Sequence, residues 1–212
     1  MQPDTFFGNN AIRVVNGVVK ISNNDEVNYS QIGADGEITL AGTGKVTQQL
    51  YLNNAAFTKG ATAPTQVILG DFNAWEFDIG DDAVITYMIP PDWTPGTDLT
   101  IKVCWYIDEA YAADKEIQWR LDWSALPMDF SEAVDAPTHS DQIDSGDIDI
   151  PAVAKRMGVS TIGAIAGGSL AAGDMLGFTL SRIAVTNDDP TNDPAIHHLI
   201  IEYSVNKLGQ PT

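Results

Sequence analysis

Apolar residues recur two apart along most of the chain, in short runs broken by Gly, Pro, Asn and Asp, and seldom at helical spacing. Side chains alternate across a pleated strand, so this period marks half-buried β-structure. The clearest run is Glu116 to Trp123, where Ile117, Trp119, Leu121 and Trp123 share one face and Gln118, Arg120 and Asp122 the other. Near the C-terminus Leu199, Ile201, Tyr203 and Val205 alternate against Ile200, Glu202 and Ser204. Further strands are predicted over 83–89, 99–107 and 177–185. The second of these is apolar on both faces, with Ile101, Val103, Trp105 and Ile107 set against Cys104 and Tyr106, as expected of a central or interface strand. Pro90-Pro91-Asp92, Thr94-Pro95-Gly96-Thr97 and Asn187-Asp188-Asp189-Pro190 supply turns. Short strands with turn signals between them predict an all-β chain: an antiparallel jelly-roll-like β-sandwich with an extended N-terminal β-hairpin arm.

The first 45 residues carry the hairpin signals of that arm. Asn16-Gly17, between Ile12 to Val15 and Val18 to Ile21, suits a type I′ turn, whose central positions need positive φ. Asp35-Gly36 before Glu37 to Leu40 predicts a second turn. These pieces are too poor in large apolar residues to own a core, and isolated hairpins are marginal in water. Residues 1–45 are therefore read as an arm and 46–212 as the sandwich. Ile12, Val14, Val18, Ile21, Ile38 and Leu40 are the arm positions expected to meet a partner. Asp149, Pro151, Lys155, Arg156 and Gly158 stand where a short capped helix over 150–158 would want them. Gly163 to Gly173 reads as a closely packed loop or edge strand, since no Gly-Lys-Ser/Thr ending makes it a phosphate loop.

Composition sharpens this. The 212 residues are 44% hydrophobic, enough for one sizeable core, and contain no run of about 18 apolar residues that would predict a membrane span. The opening residues lack the basic and apolar regions of a secretory signal, so export by the general secretory route is not expected. The net charge of −18 is concentrated: residues 71–150 carry nineteen acidic and three basic side chains, whereas both flanks have four basic and five acidic. Such a field repels nucleic acid and anionic membranes and favours solubility and cation uptake, or suits salty surroundings. The lone Cys104 cannot form an intrachain disulfide and is expected to be a small core residue.

Candidate chemistry is sparse. His139 lies in a loop, and the adjacent His197 and His198 should point to opposite faces of a strand, so that they cannot jointly hold one ion and read as structural. No Gly-x-Ser-x-Gly elbow, His-Glu-x-x-His helix or Cys-x-x-Cys pair occurs. Trp75, Trp93, Trp105, Trp119 and Trp123 could line a sugar groove, but the alternation around Trp119 and Trp123 favours core. Asp141, Asp144, Asp147 and Asp149 form the foremost ligand candidate, for Ca2+, which takes about six to eight oxygen ligands. Their spacing departs from the EF-hand template, and a solvated acidic loop is the competing reading. Asp188, Asp189 and Asp193 are a weaker candidate of the same kind.

Taken in order, Trp75-Glu-Phe, Ala83-Val-Ile-Thr-Tyr-Met-Ile-Pro-Pro-Asp-Trp, Gly96-Thr-Asp-Leu-Thr-Ile-Lys-Val-Cys-Trp, Ile117-Gln-Trp-Arg-Leu-Asp-Trp, Ala172-Gly-Asp-Met-Leu-Gly-Phe-Thr-Leu-Ser-Arg and Leu199-Ile-Ile-Glu-Tyr form a distinctive series. It resembles the jelly-roll virion structural proteins of tailed bacteriophages, either capsid decoration (cement) proteins or tail-fibre and receptor-binding domains. The resemblance implies a non-enzymatic homotrimer on the virion surface, bound to the major capsid protein or another virion protein, and it transfers no catalytic residue. Decoration of the capsid is the first expectation. A tail-fibre domain recognising a host surface glycan is the alternative, and a cellular carbohydrate-binding jelly-roll module the second alternative. Nucleic acid and membranes are not expected partners.

Overall fold

The alternating segments become antiparallel strands in a computed structural model that describes residues 5–7, 10–15, 18–22, 29–33, 36–41, 45–111 and 115–208. In chain order the strands are β1 (Thr5–Phe7), β2 (Asn10–Val15), β3 (Val18–Ser22), β4 (Tyr29–Ile32), β5 (Ile38–Ala41), β6 (Val46–Asn53), β7 (Thr58–Lys59), β8 (Thr65–Leu69) and β9 (Phe72–Glu76). They continue as β10 (Asp82–Met88), β11 (Leu99–Ile107), β12 (Glu116–Leu126), β13 (His139–Asp144), β14 (Ile148–Asp149), β15 (Gly158–Ile165), β16 (Met175–Ile183), β17 (Pro194–Val205) and β18 (Lys207–Leu208). Among the described residues no helix is long and apolar enough to cross a membrane.

The chain divides into two compact units, one of residues 1–48, 90–94 and 203–212, the other of 49–89 and 95–202. In the first, β1 to β5 form a meander in which each strand pairs with the next, and β18 adds to β5. Ile12 stands opposite Ile21 and Val14 opposite Val19. Val18, Ile38 and Leu40 are half-buried, whereas Ile12 and Ile21 are exposed. The turn expected at Asn16-Gly17 lies outside the described residues, as does Asp35. Gly36 takes φ +84°, which glycine adopts without a Cβ penalty, and donates its N–H to the Gly33 carbonyl at 3.1 Å.

The second unit holds two antiparallel sheets. One runs β13-β12-β16-β10-β7, with β14 also on β12; the other runs β15-β11-β17-β9-β8, with β6 also on β17. Successive strands β10, β11 and β12 change sheet each time, as do β15, β16 and β17. That alternation makes an antiparallel jelly-roll-like sandwich and gives the doubly apolar β11 a neighbour on each side, β15 and β17. Trp119 of β12 is fully buried and meets Trp105 of β11 edge-on at 6.4 Å and Phe77 at 5.7 Å, so one ring ties the two sheets together. Ile117 and Leu121 on the same face are equally buried, each burial contributing about 1.5–3 kcal/mol.

The segment 150–157 is not helical, contrary to its cap-like composition. Its polar backbone is used elsewhere: Ile150 N–H reaches the Lys115 carbonyl at 3.2 Å and Lys155 N–H the Ile107 carbonyl at 2.7 Å, while Lys155 takes φ +62°. These tertiary bonds replace the intrahelical ones that capping would have served. The glycine-rich stretch begins in edge strand β15, as its composition suggests, and then packs Gly167 tightly against Thr97.

Candidate ligand-binding face

The feature that organises the outer face of the β11-containing sheet is a β-bulge. β17 pairs with β11 in register up to Cys104 opposite His198, but the next pair is Trp105 with Ile196, leaving His197 as an extra residue. A bulge breaks the strict alternation of a strand. The two imidazoles consequently lie side by side, with ring centroids 4.4 Å apart, a tilt of 31° and an Nδ1 to Nδ1 distance of 2.6 Å. The expectation that His197 and His198 face opposite ways is therefore overturned.

Aromatic side chains flank the pair. Tyr51 of β6 meets His198 edge-on at 6.2 Å, and Phe72 of β9 meets His197 at 5.9 Å. Each of these two rings is 57% exposed. Together with Gln49, Lys102, Cys104, Val159 and Ile200 they line an open groove of about 530 Å³. Its polar side is a chain of hydrogen bonds: Tyr51 Oη donates to Gln49 Oε1 at 2.6 Å, and Gln49 Nε2 and Lys102 Nζ both donate to Glu202 Oε2 at 2.8 Å. The Lys102 bond, followed by that from Gln49, holds the Glu202 carboxyl below its ordinary range. Cys104 is half-buried in this groove, not in the core, because the alternation of β11 turns it away from Val103 and Trp105; burial pushes its thiol up, so it stays protonated. Burial first, and the neighbouring His197 second, lower the pKa of His198. Among the described residues neither Nε2 atom has a hydrogen-bond partner.

The acidic candidates are dispersed. Asp144 is gripped by Arg120, whose Nε and Nη2 each donate at 2.8 Å. Asp141 stands on β13 opposite Trp123 and accepts from the Gln142 N–H, Asp149 stands on β14 opposite Glu116, and Asp147 follows the turn at Gly146. Among the described residues no three or more His, Cys, Asp or Glu side chains come together as a metal ion would need. Asp188 pairs with Lys115 at 2.9 Å, while Asp189 and Asp193 pair with the buried Arg182 at 3.4 and 2.6 Å. Two cations, Lys115 and Arg182, thus pair with the three carboxylates of that cluster. The tryptophans do not gather along one groove either: Trp93, Trp105 and Trp119 are buried and Trp75 and Trp123 half-buried. Tyr51 and Phe72 escaped the sequence reading. A signal for Tyr51 was present, since it alternates with Gln49 and Asn53 on a polar face. The bulge that completes the site left none.

No known family matches this chain, and no curated protein does. Among solved structures it is similar to the CBM36-1 domain of a multidomain xylanase from the hindgut metagenome of Trinervitermes trinervoides, at 15% identity and a TM-score of 0.38, over 73% of this chain and 96% of that one. It is also similar to a carbohydrate-binding module CBM36 in complex with calcium and xylotriose, at 16% identity and a TM-score of 0.39, over 72% and 98% of the two chains. The structure of infectious bursal disease virus, Gx strain, matches at 11% identity and a TM-score of 0.37, over 98% of this chain and 46% of that one. The site is read below from its own residues.

Proposed function

We propose that this chain is a non-enzymatic binding module that holds a glycan in the groove beside His197 and His198. The observation that carries the reading is the pair of aromatic residues, Tyr51 and Phe72, each 57% exposed and each set edge-on to one of the two imidazoles. Sugars offer apolar C–H faces and hydroxyl edges. An amphipathic ring wall suits the first, and a few placed polar groups such as His197, His198, Gln49 and Lys102 suit the second. The test is a glycan array followed by calorimetry on the strongest class. Binding that weakens at least about tenfold, or ~1.4 kcal/mol, in Tyr51→Ala and Phe72→Ala supports the reading. An array without signal overturns it.

A second reading, display on a virion surface, is favoured by the N-terminal sheet, where Ile12, Ile21 and Ile32 are 36%, 47% and 42% exposed. Exposed apolar side chains grouped on one small sheet are suited to attachment. In this reading the sheet docks on a capsid protein or other virion protein, in a homotrimer; the decoration and tail-fibre forms differ in where the sheet docks. Saturable co-sedimentation with particles that is lost in Ile12→Asp and Ile21→Asp supports it, and unchanged binding by those variants refutes it.

A further inference from the structure

We propose that His197 and His198 share a single proton and that gaining one more converts the groove from a surface for neutral hydroxyls into one for carboxylates, so that the ligand class it takes is proton-linked. The proposal rests on the glycan reading and deepens it by naming acidic sugars as the class gained.

The argument starts from the 2.6 Å between the Nδ1 atoms. Two bare lone pairs, or two N–H groups, facing each other at that separation repel, so one hydrogen lies between the rings: one Nδ1 donates and the other accepts. Each neutral imidazole carries one hydrogen, and the shared bond therefore dictates the far sides of both rings. The donor ring has a bare Nε2, an acceptor; the accepting ring has an Nε2–H, a donor. Neither Nε2 has a partner among the described residues, so the neutral pair offers one donor and one acceptor, on the far side of each ring, to separate neutral hydroxyls. An added proton can go only to the bare Nε2. The pair then presents an N–H donor on the far side of each ring and one positive charge, which favours a carboxylate at either Nε2 over a neutral hydroxyl. A second added proton would set two N–H groups head to head across the Nδ1 gap, so the change stops at one.

Nothing else lining the groove duplicates this change near neutrality. On β11, Lys102 is already paired with Glu202 of β17 at 2.8 Å, and the Cys104 thiol is held protonated. On β6, the Tyr51 hydroxyl donates to Gln49; β9 contributes Phe72 and β15 contributes Val159, neither of which titrates. Burial and mutual repulsion both work against charge on His198, which puts the change on the acid side of the ordinary histidine value. A carboxylate ligand favours the protonated pair, so its binding takes up about one proton and strengthens as pH falls.

The experiment uses the full chain on two readouts. Imidazole 15N shifts across a pH titration report the tautomers: one Nδ1-protonated and one Nε2-protonated ring, changing together, are expected. The glycan array is then read at about pH 5 and about pH 8. Uronate-bearing glycans should gain about tenfold in affinity at the lower pH while neutral glycans change less than about twofold, and His198→Gln should abolish the gain. Two independently titrating rings overturn the proposal, as does an array on which acidic and neutral sugars respond alike. Absence of sugar binding at both pH values overturns the glycan reading itself, and the 15N result then reports separately whether the shared proton exists.

Discussion

Arg182 on β16 is 1% exposed, and its guanidinium reaches Asp193 at 2.6 Å, Asp189 at 3.4 Å and the Phe77 carbonyl at 3.1 Å. Arg182→Met keeps much of the stem's volume and deletes the charge, leaving two carboxylates near each other and the Phe77 carbonyl without that donor. Removing one partner of a buried ion pair costs about 3–5 kcal/mol. Here the carboxylates are 28% and 35% exposed, so water screens part of the stranded charge, and the expected loss is about 2–3 kcal/mol. For a chain of this length that lowers the melting temperature by roughly 4–12 °C. Adding Asp193→Asn to the Met variant removes one stranded charge and should restore a measurable part of the stability, a non-additivity of about 0.5 kcal/mol or more. Urea denaturation of wild type, both singles and the double measures this. A Met variant within about 1 kcal/mol of wild type, or strictly additive effects, would refute the assignment of Arg182 as the internal counter-ion of these aspartates.

Because Tyr51 and Phe72 are more than half exposed, their alanine variants should lose binding while changing the unfolding free energy measured in urea by no more than a surface substitution does, about 0.5 kcal/mol; a larger change would make them structural. Gly167→Ala would drive a Cβ into the Thr97 carbonyl, backbone that cannot rotate away, and should cost about 1–3 kcal/mol by thermal melting. Hydrogen bonds from Arg120 hold the Asp144 carboxyl below its ordinary range, with burial opposing them. A depressed carboxyl contributes stability that is complete above the unfolded value of about 4 and is lost as pH falls through the folded one. Asp144→Asn should therefore flatten the fall in stability below about pH 4, by less than about 1 kcal/mol because the pair is one-third exposed; an unchanged acid limb counts against it.

The strand pattern was legible because burial and pleat act locally: the period of two at Ile117, Trp119 and Leu121 is the same fact in the sequence and in the core. Turn chemistry was similarly local at Gly36. The segment 150–158 was misread because caps describe what a helix needs, whereas its N–H groups were claimed by Lys115 and Ile107, distant in sequence. Asp144, Asp189 and Asp193 likewise meet cations that their neighbours along the chain do not announce, Arg120 and Arg182, which arrive on β12 and β16.

The all-β character, the doubly apolar interior strand, the core tryptophan and the concentration of acid in residues 71–150 all follow from side chains and their immediate spacing. The place of the candidate site depends instead on strand pairing. His197 and His198 share a face only because β11 and β17 pair out of step by one residue, and Tyr51 and Phe72 reach them only because β6 and β9 lie in the same sheet. Strand register is a property of two segments at once, and no alternation read along one of them contains it.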